Sequence, residues 1–176
     1  MPLCPCQVSP KLDFLTAPIA YSDCCQPYHK CIKKAENAER LMRTRYSAFV
    51  LMMPDYIIKT TLPAQQDLLD IEAIEKWARE TPWAGLEIIK HTPKIGKRHA
   101  QVEFKAYYHE VDSSKELIKE KLKAHHERST FVTVKDKTND ENWYFLDPTV
   151  AMTVSQKHPC ICGSGEKFKR CCGAYL

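Results

Sequence analysis

Four cysteines near the C-terminus, Cys160, Cys162, Cys171 and Cys172, carry the most specific chemistry in the chain. Four thiolates bind a soft or borderline ion tetrahedrally, and zinc does so at Zn–S distances of about 2.3 Å. A pair one residue apart must bend sharply to aim both sulfurs at one ion. Gly163 and Gly165 permit that bend, because glycine accepts positive φ without a steric penalty. Pro159 holds His158 extended and ends the preceding segment. Cys171 and Cys172 are adjacent, so no regular strand or helix points both at one centre. They require a chain bend, which Gly173 can close. A tail this short cannot bury a core of its own and needs a staple. A metal supplies one, whereas ordinary thiols or a vicinal disulfide at 171–172 do not. Four sulfurs leave no open coordination position, which marks a structural site rather than a catalytic one.

The N-terminus echoes this arrangement. "CPC" at 4–6 repeats the opening pair and "CCQPY" at 24–28 repeats the closing pair. Seventeen residues separate Cys6 from Cys24, against eight at the C-terminal end, and they contain no glycine pair. An insertion into a metal-closed loop costs little entropy. Cys4, Cys6, Cys24 and Cys25 therefore form a second candidate site. Cys31 or His29 is an alternative for one of the four, and an N-terminal arm with partly free thiols is the other reading. Iron accepts the same four-thiolate tetrahedron, so zinc and iron both fit.

The formal charge is +4. Each tetrathiolate site with one divalent ion carries about −2, so two of them bring the protein close to neutral. Bulk charge therefore gives no argument for nucleic-acid binding. No run reaches the 18 apolar residues of a membrane span, and "MPLCPCQVSP" has neither a basic nor an apolar signal region. The expectation is a cytoplasmic protein, where disulfides are rare. Nine cysteines, an odd number in close pairs, fit metal binding better than a disulfide framework.

The cysteines divide the chain into modules at 1–31 and 157–176 around a middle domain at 32–156. Met42, Tyr46, Phe49, Val50 and Met53 recur at helical spacing in "ENAERLMRTRYSAFVLMM", which predicts a helix stopped by Pro54. Asp55 caps a short second helix closed by Pro63, and residues 66–80 make a third, with Leu68, Ile71, Ile74 and Ala78 near one face. After Pro82 the period becomes two. Strands are predicted over 83–91, 100–108, 124–135 and 142–149, with a turn at Asn139-Asp140 and a charged connection over 112–123. Helices followed by adjacent strands predict an α+β fold with helices on one face of a curved antiparallel sheet.

"PCICGSGEKFKRCCG" resembles the SEC-C motif, the small zinc module at the C-terminus of SecA, with Ile161 where proline is common. Two SEC-C-like ends around "LMRTRYSAFVLMMPDYIIKTTLP", followed by "HHERSTF" and "WYFLDPT", resemble the YchJ family over essentially the full length. The resemblance implies a middle domain like nuclear transport factor 2, also called cystatin-like: a cone of helices against a strongly bent sheet. It implies zinc modules that bind protein partners, with a SecB-like chaperone as the example by analogy.

A cone of this kind often encloses a pocket. Arg45, Tyr46, Tyr107, His126 and Glu127 are its candidates, with His109 and Asp147 nearby. The catalytic reading puts Glu127 or His126 in the pocket as a base and Tyr46 or Tyr107 on a carbonyl. The structural alternative pairs Arg43 and Arg45 with Glu127 between helix and sheet. Strand alternation places Glu127, Ser129 and Phe131 on one face, and His126, Arg128 and Thr130 on the other. No P-loop, GxSxG or dinucleotide motif is present. The leading expectation is a non-catalytic metal-binding adaptor. A small-molecule or acid–base cone comes second. RNA or ribosome contact through Lys167, Lys169 and Arg170 around Phe168 comes third.

Overall fold

The computed structural model describes residues 2–10, 17, 19–111 and 117–176, with no side chains over 117–120. Its helices come first. They are α1 (Gln26–His29), α2 (Ala38–Val50), α3 (Pro54–Lys59), α4 (Pro63–Gln66) and α5 (Ile71–Glu80). Four strands follow: β1 (Trp83–Thr92), β2 (His99–Val111), β3 (Leu117–Lys135) and β4 (Glu141–Leu146). They pair antiparallel in the order β1-β2-β3-β4. The α+β expectation holds.

Local rules explain the helix ends. The Asn37 side chain accepts the Arg40 N–H at 2.8 Å to open α2, and the Asp70 side chain accepts the Ala73 N–H at 3.0 Å to open α5. Pro54 and Pro63 each stand in the first turn of a helix, where the missing N–H costs nothing. Pro63 thus begins α4 rather than closing α3, and Asp55 lies inside α3 rather than capping it. Leu68 precedes α5, and both Leu68 and Ile71 are exposed. The expected loop at 112–123 is shorter than its charge suggested, because 117–123 belong to β3. Residues 112–116 lie outside the described residues.

Register sorts the sheet into two faces. Ala100 lies opposite Phe131, Val102 opposite Ser129, Phe104 opposite Glu127 and Ala106 opposite His125. This face meets α2 and holds the main core, with Leu41, Met42, Tyr46 and Leu86. The other face carries Val132 and Leu146, which pack with Leu62 against the C-terminal cysteines. The N-terminal cysteines belong to the helix-side core. The two cysteine modules therefore cover opposite faces of one sheet.

Gly85 lets the N-terminal module approach β1. Its φ is +144°, and a Cβ there would meet Val8 O at 2.8 Å. Only glycine fits, and the Leu86 N–H then donates to Val8 O at 2.8 Å.

Candidate functional site

Each cysteine set gathers at one point. The ligand atoms of Cys4, Cys6, Cys24 and Cys25 all lie within 4.8 Å of one another, as do those of Cys160, Cys162, Cys171 and Cys172. The close S···S distances run from 3.5 to 3.9 Å. Four sulfurs at about 2.3 Å from a central zinc would stand about 3.8 Å apart, so both sets fit a tetrahedral ion.

The local backbone shows why. The Cys4 N–H donates to Ile19 O and the Tyr21 N–H to Pro2 O, each at 3.0 Å. This short antiparallel pairing carries "CPC" across the insertion to "CC". A 3-10 turn, Tyr21–Asp23 or Phe168–Arg170, precedes each closing pair. The first cysteine of each pair then takes a similar non-helical bend: Cys24 at φ −109°, ψ −88° and Cys171 at φ −131°, ψ −117°. Gly163 and Gly165 adopt φ of +71° and +79°, as the sequence required.

The four thiols of each set do not ionise alike. A thiol bond from Cys172 draws Cys162 down to about 4, and a bond from Cys25 draws Cys4 down. The donors move the other way. Cys172 is pushed up first by its bond to Cys162 and then by burial, and Cys25 is pushed up first by its bonds to Cys4 and Cys6. Full ionisation of either set needs a compensating positive charge, which a divalent metal supplies.

Neighbouring donors steady the sulfurs. Ser47 Oγ donates to Cys25 Sγ at 3.3 Å, and Gln7 and Arg40 reach Cys24 at 3.7 and 3.8 Å. His99 Nε2 stands 3.4 Å from Cys172 Sγ, and the Cys172 N–H donates to Cys160 Sγ at 3.4 Å. Such contacts orient ligands and disperse thiolate charge. Spacing alone gave no signal for Ser47, Arg40 or His99, because they come from the middle domain. His29 is not a ligand. Its Nδ1 accepts from Tyr21 Oη at 2.8 Å while Nε2–H donates to Thr44 O at 2.9 Å. Cys31 is exposed, at φ +58°, beside Lys59 Nζ at 3.0 Å and apart from the cluster.

A cavity of about 520 Å³ opens between α2, α5 and the sheet. Arg45, Tyr46 and Glu127 line it with Asp147 and the rings of Trp77, Trp83 and Phe145. Two candidates fall elsewhere. His126 lies on the opposite face, where Nε2 stands 2.9 Å from Glu103. Tyr107 shares that face and donates to Glu87. The sheet alternation that excludes them admits His125, which sequence reasoning passed over. His109 lines an adjoining hollow with Tyr108 and Lys123, which shares Trp77, Trp83 and His125 with the cavity. The expected helix–sheet ion pair is also absent. Arg43 pairs with Glu39 at 2.8 Å. Arg45 Nη1 donates to Ile57 O at 2.8 Å, Thr60 Oγ1 at 2.7 Å and Thr61 Oγ1 at 3.3 Å.

At the cavity wall His125 Nε2 donates to Glu127 at 2.7 Å and Ser129 Oγ donates to it at 2.6 Å. Burial alone would raise the Glu127 carboxyl, but these bonds hold it below the ordinary carboxylate range. The same bond lifts His125 above the ordinary imidazole value. The Glu127 contribution to stability is present above the unfolded carboxylate value and lost as pH falls through its lowered pKa. The His125 contribution is present below the unfolded imidazole value and lost as pH rises through its raised pKa. Both operate together between about pH 4.3 and 6.5. An NMR titration is expected to give His125 a raised midpoint that Glu127→Gln lowers; an unmoved midpoint would refute the pairing.

Residues 37–148 match the family model described as the middle, NTF2-like domain of YchJ. Residues 1–32 match the N-terminal zinc binding domain of YchJ family proteins, and 159–174 match the SEC-C motif. A UPF0225 protein of Actinobacillus succinogenes is 44% identical over 99% of this chain and 98% of its own. One from Haemophilus influenzae is 44% identical over 98% of this chain and 92% of its own. The crystal structure of a SEC-C motif containing protein from Psychrobacter arcticus is 62% identical, with a TM-score of 0.92 over 99% of this chain and 97% of that one. A SEC-C motif containing protein from Rhodopseudomonas palustris is 31% identical, with a TM-score of 0.60 over 74% of this chain and 91% of that one.

Proposed function

The chain belongs to the YchJ family and binds structural zinc, and from that premise we propose that it is a ligand-binding cone whose two zinc modules hold the cone together. One observation carries this: the cone contains a 520 Å³ cavity with aromatic walls and a few polar groups. That size and lining are those of small-molecule sites. The eight paired cysteines would hold the metals, and four sulfurs at each would leave no open position for a substrate. The His125–Glu127 pair at the wall supports proton transfer on a bound molecule as a second reading.

The modules support this division of labour. Their cysteines are 0–6% exposed, and they pack into the two cores rather than standing clear of the domain. Phe168, the ring expected on the basic face, is 5% exposed. A protein or RNA partner of the C-terminal module would meet the exposed Lys167, Lys169 and Arg170 without a stacking ring. Among the described residues no helix is long and apolar enough to cross a membrane. Eight metal-binding thiols suit a reducing compartment such as the cytoplasm.

Binding of the neutral fluorophore N-phenyl-1-naphthylamine tests the reading. The expected result is saturable binding at one site per chain, with energy transfer from Trp77 and Trp83, weakened by the cavity-filling Ala106→Leu. Zinc-loaded, folded protein that shows no saturable uptake would overturn it.

A further inference from the structure

Arg45 is the only buried Arg, Lys, Asp or Glu among the described residues. It is 6% exposed, yet no carboxylate oxygen lies within ion-pairing distance of it among the described residues. Buried charges are normally paired, because desolvation of an isolated ion costs several kcal/mol. Its Nη1 is spent on three oxygens at the end of α3. Its guanidinium carbon sits 4.5 Å from the centre of the Phe145 ring, which fixes the plane of the group. Nε and Nη2 have no acceptor among the described residues, and the side chain lines the cavity. Burial lowers its pKa only to about 10, so it stays cationic at neutral pH.

The other charged groups lining the cavity are already served, Arg128 by Glu103 at 3.6 Å. Glu127 accepts from His125 and Ser129. Asp147 accepts from the Thr149 N–H at 2.8 Å and from Thr149 Oγ1 at 2.6 Å. The free hydrogen-bonding edge of Arg45 is a planar fork, which matches a carboxylate bidentately.

We propose that the cone binds a monocarboxylate with an apolar, aromatic-sized body, its carboxylate on the Nε–Nη2 edge of Arg45 and its body among Trp77, Trp83 and Phe145. The two resident carboxylates, Glu127 and Asp147, make the site hostile to a dianion, so a phosphate monoester is disfavoured by like-charge repulsion. The proposal rests on the reading of the cone as a ligand site.

Calorimetric titration with three probes of one shape separates the two claims: 2-naphthoate, neutral 2-naphthamide and 2-naphthyl phosphate. The wild-type, zinc-loaded protein is expected to bind 2-naphthoate at least about tenfold more tightly than the amide, as a charge-assisted pair supplies, and to bind the phosphate more weakly than the carboxylate. Arg45→Met should remove the preference for the acid while leaving the amide bound. Glu127→Gln should strengthen 2-naphthoate and narrow its lead over the phosphate. If Arg45→Met does not fold, the three wild-type affinities decide alone. Amide binding with no gain for the acid would overturn the carboxylate proposal and leave the cone reading intact. Failure of all three probes would overturn both.

Discussion

Stripping the metals from this protein is expected to unfold it rather than to trim its ends. A structural tetrathiolate zinc contributes an apparent 10–16 kcal/mol or so at neutral pH. A whole domain is stable by only about 5–15 kcal/mol. The location of the clusters makes that loss global. Cys160, Cys162, Cys171 and Cys172 share one apolar cluster with Leu62, Val132 and Leu146, on one face of the sheet. Cys4, Cys6, Cys24 and Cys25 share the other with Leu41, Leu86, Val102 and Phe131. Metal analysis of protein purified without added metal is expected to give two zinc ions per chain. Cys25→Ser and Cys172→Ser should each reduce the count to one. Chelation of both should abolish near-ultraviolet circular dichroism and the cooperative melt. A protein that melts at its original temperature after chelation would show that the modules are separable handles.

The spacing of the cysteines made the C-terminal site legible, because four thiols within thirteen residues leave few other arrangements. The insertion obscured the N-terminal site. What fixes its choice of ligands is a hydrogen-bonded return of the chain, Cys4 to Ile19 and Tyr21 to Pro2, and spacing does not encode such a return. His29 looked like a ligand because it lies among the cysteines, yet both its ring nitrogens are occupied by Tyr21 and Thr44.

Helix α2 shows the same limit. Its apolar stripe predicted one buried face. The structure also buries Thr44, Arg45 and Ser47, because the N-terminal module and α3 close over the far side. Tyr56 Oη donates to Thr44 Oγ1 at 2.9 Å, and Ser47 serves Cys25. A helix covered on two sides reads as amphipathic only if both covers are apolar. Here one cover is a metal site rich in hydrogen-bond acceptors. Strand alternation carried further: it put Glu127, Ser129 and Phe131 on one face and His126 on the other, as the register has them. The same alternation turns Tyr107 away from the cavity, against the catalytic reading that put its ring on a carbonyl.

Phe131→Ala is expected to be the most damaging single change away from the metals. Phe131 is 0% exposed and lies opposite Phe145 in the β3–β4 register. Their ring centroids are 5.7 Å apart with the planes tilted by 55°. Truncating a fully buried phenylalanine costs about 3–5 kcal/mol, from lost transfer energy and from the cavity left behind. In a chain of this length that lowers Tm by about 6–20 °C. The aromatic pair should show as coupling of about 0.5–1.5 kcal/mol in a double-mutant cycle of Phe131→Leu and Phe145→Leu. Phe145 alone should cost less than Phe131, because it borders the open cavity and its loss widens a space water can already enter. Its second role appears in binding: without the ring beneath Arg45, the guanidinium is no longer held flat. Phe145→Leu should therefore weaken 2-naphthoate more than 2-naphthamide, whereas Phe131→Leu should not discriminate between them. Urea unfolding with zinc retained measures the first part. A loss below about 1.5 kcal/mol for Phe131→Ala would place that ring outside the core.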